Sequence, residues 1–208
     1  VDDWDKQRGR LYRIRPEGLN VGLKPFDLST AATADLVTLL AHRNEWFRKQ
    51  AVLEIGWRQL KDATPALRPM LDGPQALEAL WALDLLGEAG EPPVTHADPY
   101  VRRWSWKMLG ERRTAPSVAQ IAAARRETHP EVRAQILASA KRMPMGALPL
   151  LHAGVDTSQD EAGRLRLLAW WALEAHLGSP SERAGAVAFL RAAPELISSP
   201  LFRETLAE

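Results

Sequence analysis

The sequence predicts an all-α protein, a solenoid-like stack of short helix pairs preceded by a brief β-strand segment. Three observations predict it. The 208 residues are 46% hydrophobic and 25% charged, an ordinary globular balance, and alanine, leucine and arginine dominate. These side chains lose little freedom in a helix, while the β-branched residues that build large sheets are sparse. A phrase then recurs: an apolar residue, arginine, two variable residues, and a small or apolar residue. It reads Phe47-Arg48-Lys49-Gln50-Ala51, Val101-Arg102-Arg103-Trp104-Ser105, Val132-Arg133-Ala134-Gln135-Ile136 and Leu165-Arg166-Leu167-Leu168-Ala169, with a copy lacking the arginine around Ala79. Finally, aligning Ala51, Ala79, Ser105, Ile136 and Ala169 gives spacings of 28, 26, 31 and 33 residues. A period near that length with helix–turn–helix content is the signature of stacked repeats.

Each element follows in order. Residues 1–24 differ from the rest. Arg10 to Arg15 alternates polar residues with Leu11, Tyr12 and Ile14, between Gly9 and the pair Pro16 and Gly18. That period of two reads as a strand or hairpin, whose backbone needs a partner near Trp4 or upstream of Val1. Residues 25–208 form the helical domain, with helices expected over 33–42, 45–57, 63–71, 75–87, 99–111, 115–126, 130–142, 145–152, 159–177, 181–192 and 195–206. Asn44, Asp98 and Thr128 stand where N-caps belong, Pro99 and Pro130 suit a first turn, and Gly87 and Gly178 suit helix stops. Between Gly90 and Asp98 the chain is too short and proline-rich for a first helix, so a loop is expected there. The faces of 45–57, 75–87, 99–111, 130–142 and 159–177 should share one continuous core, and Arg48, Arg102, Arg133 and Arg166 should form a ladder along one side.

The phrase around Asp98-Pro99-Tyr100-Val101-Arg102 resembles the short HEAT-like repeats also found in phycobilisome lyases, which implies a right-handed α-solenoid. GRLYRIRPEG at Gly9 to Gly18 resembles the closing strand of a sugar-dehydrogenase-like β-propeller. DLSTAATADLVTLLAHRNEWFRKQA resembles the start of the helical region that follows it in exported, membrane-associated dehydrogenases of planctomycetes. The resemblance covers about the first 90 residues well and the remainder at the level of repeat architecture. It implies that residues 1–24 link to a propeller and that the parent protein is periplasmic or exported. The chain begins at Val1 and reads as a piece of something longer. It has no Cys-x-x-Cys-His haem site, so a parent's dehydrogenase activity does not transfer to it.

The search for chemistry is brief. There is no cysteine, which removes disulfides, thiolate ligands and thiol nucleophiles. No Gly-rich phosphate loop, nucleophile elbow or His-Glu-x-x-His is present, and neither a cofactor nor a metal is expected. His42, His96 and His129 lie in similar turns before the repeat phrase, where capping is the simplest role. Carboxylates at Asp2, Asp3 and Asp5 and at Asp156, Asp160 and Glu161 lack calcium-loop spacing. No apolar run reaches the roughly 18–20 residues of a membrane helix.

What stands out is eight tryptophans and an uneven charge. Trp81 and Trp170 fall in apolar phrases and read as core. Trp104 and Trp106 point some 200° apart on a helix, as residues two apart must. At least one of them, and one of Trp170 and Trp171, should therefore be partly exposed or lie at a repeat interface. Between Pro99 and Met143 there are ten basic and three acidic residues, although the whole chain carries only +1. Trp104, Trp106, Arg103, Lys107, Arg112 and Arg113 thus form the candidate partner surface. The expected function is a non-catalytic scaffold or protein-interaction domain that docks a partner protein or a neighbouring domain. The alternative is a HEAT-like nucleic-acid-binding surface on the basic segment 99–143.

Overall fold

The computed structural model describes residues 27–154, 163–199 and 202, and every regular element among them is helical. In chain order these are α1 (Thr33–Leu39), α2 (Glu45–Trp57), α3 (Thr64–Met70), α4 (Ala76–Leu85), α5 (Pro99–Arg112), α6 (Val118–Arg126), α7 (Pro130–Ala140), α8 (Arg164–Gly178), α9 (Arg183–Ala192) and α10 (Pro194–Ser198). A 3-10 segment, Met145–Gly154, joins α7 to α8 where the sequence suggests an α-helix over 145–152, and Pro149 lies inside it. The strand expected at Gly9 to Gly18, the link 1–24 with Trp4, and the carboxylates at 156–161 lie outside the described residues.

Local chemistry sets the helix ends. Asn44 and Asp98 are N-caps whose side chains accept the backbone N–H of Trp46 and Tyr100 at 3.0 and 2.8 Å. Ser117 and Gln120 close a reciprocal capping box at the start of α6. Thr128 is not a cap. His129 occupies that position without a side-chain bond, and the carboxylate of Glu127 accepts the N–H groups of Thr128 and His129 instead. Gly87, at φ +72°, ends α4 with Glu88 N–H returning to the Leu83 carbonyl at 2.8 Å, the left-handed stop that glycine permits. Gly178 is the last residue of α8 rather than the residue beyond it.

Helices α2, α4, α5, α7 and α8 form one row in which each packs on the next. Flanking them, α1 packs on α2, α3 on α4, and α9 on α8, while the 3-10 segment touches α6, α7 and α8. Ahead of α5 the flanking helix is missing, as the proline-rich stretch implies, and residues 87–98 cross as turns and loop. Ala51, Ala79, Ser105 and Ala169 are all fully buried. Two glycines mark close approaches between helices of the row. A Cβ on Gly56 would lie 2.7 Å from Leu85 Cβ, and one on Gly110 would lie 2.8 Å from Ser139 Cβ.

The core is divided, contrary to the single continuous one expected. One cluster sits under α1 to α4, a large one runs from α5 to Phe202, and Ala76, Leu80, Val101 and Met108 form a small third between α4 and α5. The missing helix accounts for the break, because only this small cluster, with Leu71, Leu77, Trp81 and Trp104 packed against it, fills the α4–α5 junction. No helix among the described residues is long and apolar enough to cross a membrane.

Candidate functional site

The turns before α2 and α5 are built alike. In His42-Arg43-Asn44 and His96-Ala97-Asp98, the histidine Nδ1 accepts the N–H two residues on, at 3.0 Å in both. With Nδ1 accepting, His96 carries its proton on Nε2 and donates it to the Leu71 carbonyl at 3.0 Å. Arg48 and Arg102, four residues into their helices, reach back with Nη1 to the carbonyl of the same histidine at 2.9 Å in each case. Their Nε atoms donate forward into the next repeat, Arg48 to Glu78 at 2.9 Å and Arg102 to Glu127 at 2.7 Å. Arg102 adds a second bond to Glu127 from Nη2, also 2.9 Å, so this pair is bidentate. Burial alone would raise the Glu127 carboxyl. The bonds from Arg102, His129 N–H and Thr128 N–H outweigh it and hold the group below the usual glutamate range.

The other two repeat arginines serve their own junctions. Arg133 is buried and donates Nε to the Ala153 carbonyl at 2.5 Å. Arg166 lies against the Gly163 turn at the start of α8. Arg48 and Arg102 thus each tie the preceding turn to a glutamate further along the chain. The partner glutamates escaped the sequence reading, because Glu78 and Glu127 sit at different places in their repeats and only the fold brings them round.

A different face carries the accessible chemistry. On the open side of the row, α2, α4 and α5 enclose a groove of about 490 Å³. Its walls are Val52 and Leu53 from α2, Trp81 and Leu85 from α4, and Trp104 and Met108 from α5. Trp81 and Trp104 meet edge to face with centroids 5.0 Å apart, an arrangement favoured by the ring quadrupoles. The rim is polar: Asp84 is held by Arg112 at 2.7 Å, Lys49 by Glu45 at 2.7 Å, and Glu111 lies 3.6 Å from Lys107. Lys107 Nζ stands 4.1 Å from the Trp104 ring centroid. Beyond Trp104 a second pocket, about 210 Å³, opens between Arg103, Lys107 and Gln135.

The predicted surface residues divide on this geometry. Arg103, Trp104 and Lys107 gather beside the groove, and Arg112 braces it from the rim through Asp84 and the Gly90 carbonyl. Arg113 is exposed at the end of α5, in the left-handed conformation. Trp106 must be removed from the set: it is 1% exposed, buried in the large core where α7 crosses α5. Trp81 is half-buried in the groove wall, and Trp170 packs on the large core from its edge. Trp171 is exposed beneath Lys141. Among the described residues no group of three metal-ligating side chains converges, His42, His96 and His129 included. The chain matches no protein-family model, no curated protein and no solved structure.

Proposed function

We propose that this chain is a helical-repeat scaffold, a right-handed α-solenoid of HEAT-like pairs that acts by docking a partner protein rather than by catalysis. The observation that carries this reading is the apolar groove over α2, α4 and α5. Large apolar patches rimmed by polar residues are where proteins meet partners, and tryptophans such as Trp81 and Trp104 are among the side chains that dominate interface energies. Further along α2 the exposed Trp46 and Trp57 extend the patch. The repeat row supports it mechanically, since a groove floored by packed helices is preformed and costs little to organise.

The N-terminal resemblance supports a setting for the scaffold. It follows the β-propeller of an exported, dehydrogenase-like parent, and residues 1–24 lead from that neighbour. The nucleic-acid reading of segment 99–143 is weaker. Of its cations, Arg102 and Arg112 are held in ion pairs and Arg133 is buried against a carbonyl, so these three are committed within the fold and do not form part of an open basic surface.

A photo-crosslinking amino acid placed at Leu85 in the groove, or at Val118 on α6, tests the proposal. Both positions are exposed, at 45% and 85%. A discrete protein crosslinked from position 85 and not from 118 is the expected result. Equal crosslinking from both, or crosslinking to nucleic acid from 85, would overturn it.

A further inference from the structure

We propose that the groove takes an acidic peptide segment of its partner, with an apolar or aromatic side chain entering between Leu53, Leu85 and Met108. A neighbouring Asp or Glu carboxylate then reaches Arg103 and Lys107. This rests on the interaction-scaffold reading and names the chemistry of what that scaffold binds. Trp104 is the pivot, because it lines two cavities, the apolar groove and a second one that also carries two cations and an amide. On one side lies the apolar groove; on the other lies the pocket of Arg103, Lys107 and Gln135. A ligand that fills both must carry an anion beside an apolar anchor.

The cationic side is available for pairing. Arg103 is exposed, and its charge is felt by Glu131, whose closer bond is to Arg164, so the guanidinium keeps donors for a further carboxylate. Lys107 is paired only across 3.6 Å to the exposed Glu111, a surface contact that contributes little and exchanges readily. A carboxylate arriving with its flanking apolar group would be partly shielded from water, where a charge-assisted bond to a guanidinium is stronger than the surface pair it replaces.

Trp104 and two cations could also suggest a single-stranded nucleic acid, but the ring is not free. Stacking a base needs an open aromatic face. Here Lys107 lies close to the Trp104 ring and Trp81 meets that ring edge to face. The rim charges on the groove side, Asp84 with Arg112 and Lys49 with Glu45, are already paired, so they offer no run of free cations to a phosphate backbone. A peptide can place one carboxylate at Arg103 and keep neutral backbone along the paired rim.

Panning a random-peptide phage library on the immobilised full chain tests this. The enriched peptides are then measured by fluorescence anisotropy against wild type, Leu85→Asp, and the double variants Arg103→Glu/Lys107→Glu and Arg103→Met/Lys107→Met. The altered side chains lie on the surface, and matching circular dichroism establishes that each variant folds. The expected consensus pairs Leu, Phe or Trp with Asp or Glu within a few positions. Binding should weaken about tenfold or more in Leu85→Asp and in the charge-reversed variant, and less in the methionine variant. Oligothymidylate should not compete. A groove-bound consensus without acidic residues, or indifference to charge reversal, overturns this inference while leaving the scaffold reading intact. No enrichment, or displacement by oligothymidylate, also overturns it, and the crosslink from position 85 then decides the scaffold reading separately.

Discussion

Replacing Arg102 by methionine removes a tie with four hydrogen bonds while preserving most of its aliphatic volume. The guanidinium makes four hydrogen bonds: two to Glu127, and one each to the carbonyls of His96 and Ala97. Side-chain exposure is 17% for Arg102 and 6% for Glu127. Deleting one partner of a fully buried pair costs about 3–5 kcal/mol, because the other charge is left uncompensated. Here the Thr128 and His129 N–H groups still hold the carboxylate and water reaches the arginine side, so we expect about 2–4 kcal/mol. In urea, with a slope of about 2 kcal/mol/M for a chain of this size, the midpoint should fall by about 1–2 M. Arg48→Met provides the internal control. It has the same wiring to the turn, but one bond to Glu78 instead of two and 28% exposure, so about 1–2 kcal/mol is expected. Equilibrium unfolding followed by far-ultraviolet circular dichroism measures both. If Arg48→Met costs as much as Arg102→Met, or Arg102→Met costs under about 1 kcal/mol, the ties do not work through desolvated charge pairing as argued.

Gly110→Ala should destabilise by about 1–3 kcal/mol through overpacking on Ser139, although alanine favours a helix by about 1 kcal/mol over glycine; an increase in melting temperature would show that α5 and α7 can separate freely. Trp106→Ala should cost about 3–5 kcal/mol, and Trp104→Ala distinctly less, by the same unfolding assay. Stability should fall on the acid side because of Glu127. Its folded carboxyl titrates below the usual value of 4.5, so its contribution is complete above that pH and is lost as pH drops through the lowered value. Glu127→Gln should therefore be less stable at neutral pH and show a shallower acid loss, and parallel pH–stability curves would contradict the assignment.

How much was legible depended on whether the cause was local. The all-α class and most helix positions follow from side chains acting within a few residues: Asn44 and Asp98 as caps, Pro99 and Pro130 at first turns, and a small residue at the aligned position in every copy of the phrase but the one with Ile136. The opposed directions of Trp104 and Trp106 are likewise helical geometry, but which one is buried is not. That was settled by α7, whose Ser139 donates to the Trp106 carbonyl at 2.8 Å across 33 residues of sequence. The same crossing requires Gly110, and the α2–α4 approach requires Gly56. Both glycines lie five residues beyond the aligned small residue, Ser105 in one repeat and Ala51 in the other, a regularity that the arginine-centred phrase did not include. Thr128 looked like a cap because threonine favours that position, yet Glu127 outcompetes it by accepting two N–H groups while bonded to Arg102.

The groove was legible only as an irregularity. The stretch from Gly90 to Asp98 announced a missing helix, and the consequence is physical. Where a flanking helix would have continued the apolar layer, the core breaks into separate clusters. The α4–α5 junction is instead held by a small cluster around Leu80 and Met108 and by polar bridges. Arg112 spans the gap, bonding Asp84 on α4 and the Gly90 carbonyl at 2.7 Å each. Gln120 reaches Glu91 from α6 at 3.1 Å. A junction with a thin apolar layer leaves its row-side residues, Trp81, Leu85 and Trp104, only partly covered. The same interruption that divides the core therefore places the groove, and the repeat-to-repeat arginine ties hold the helices on either side of it in register.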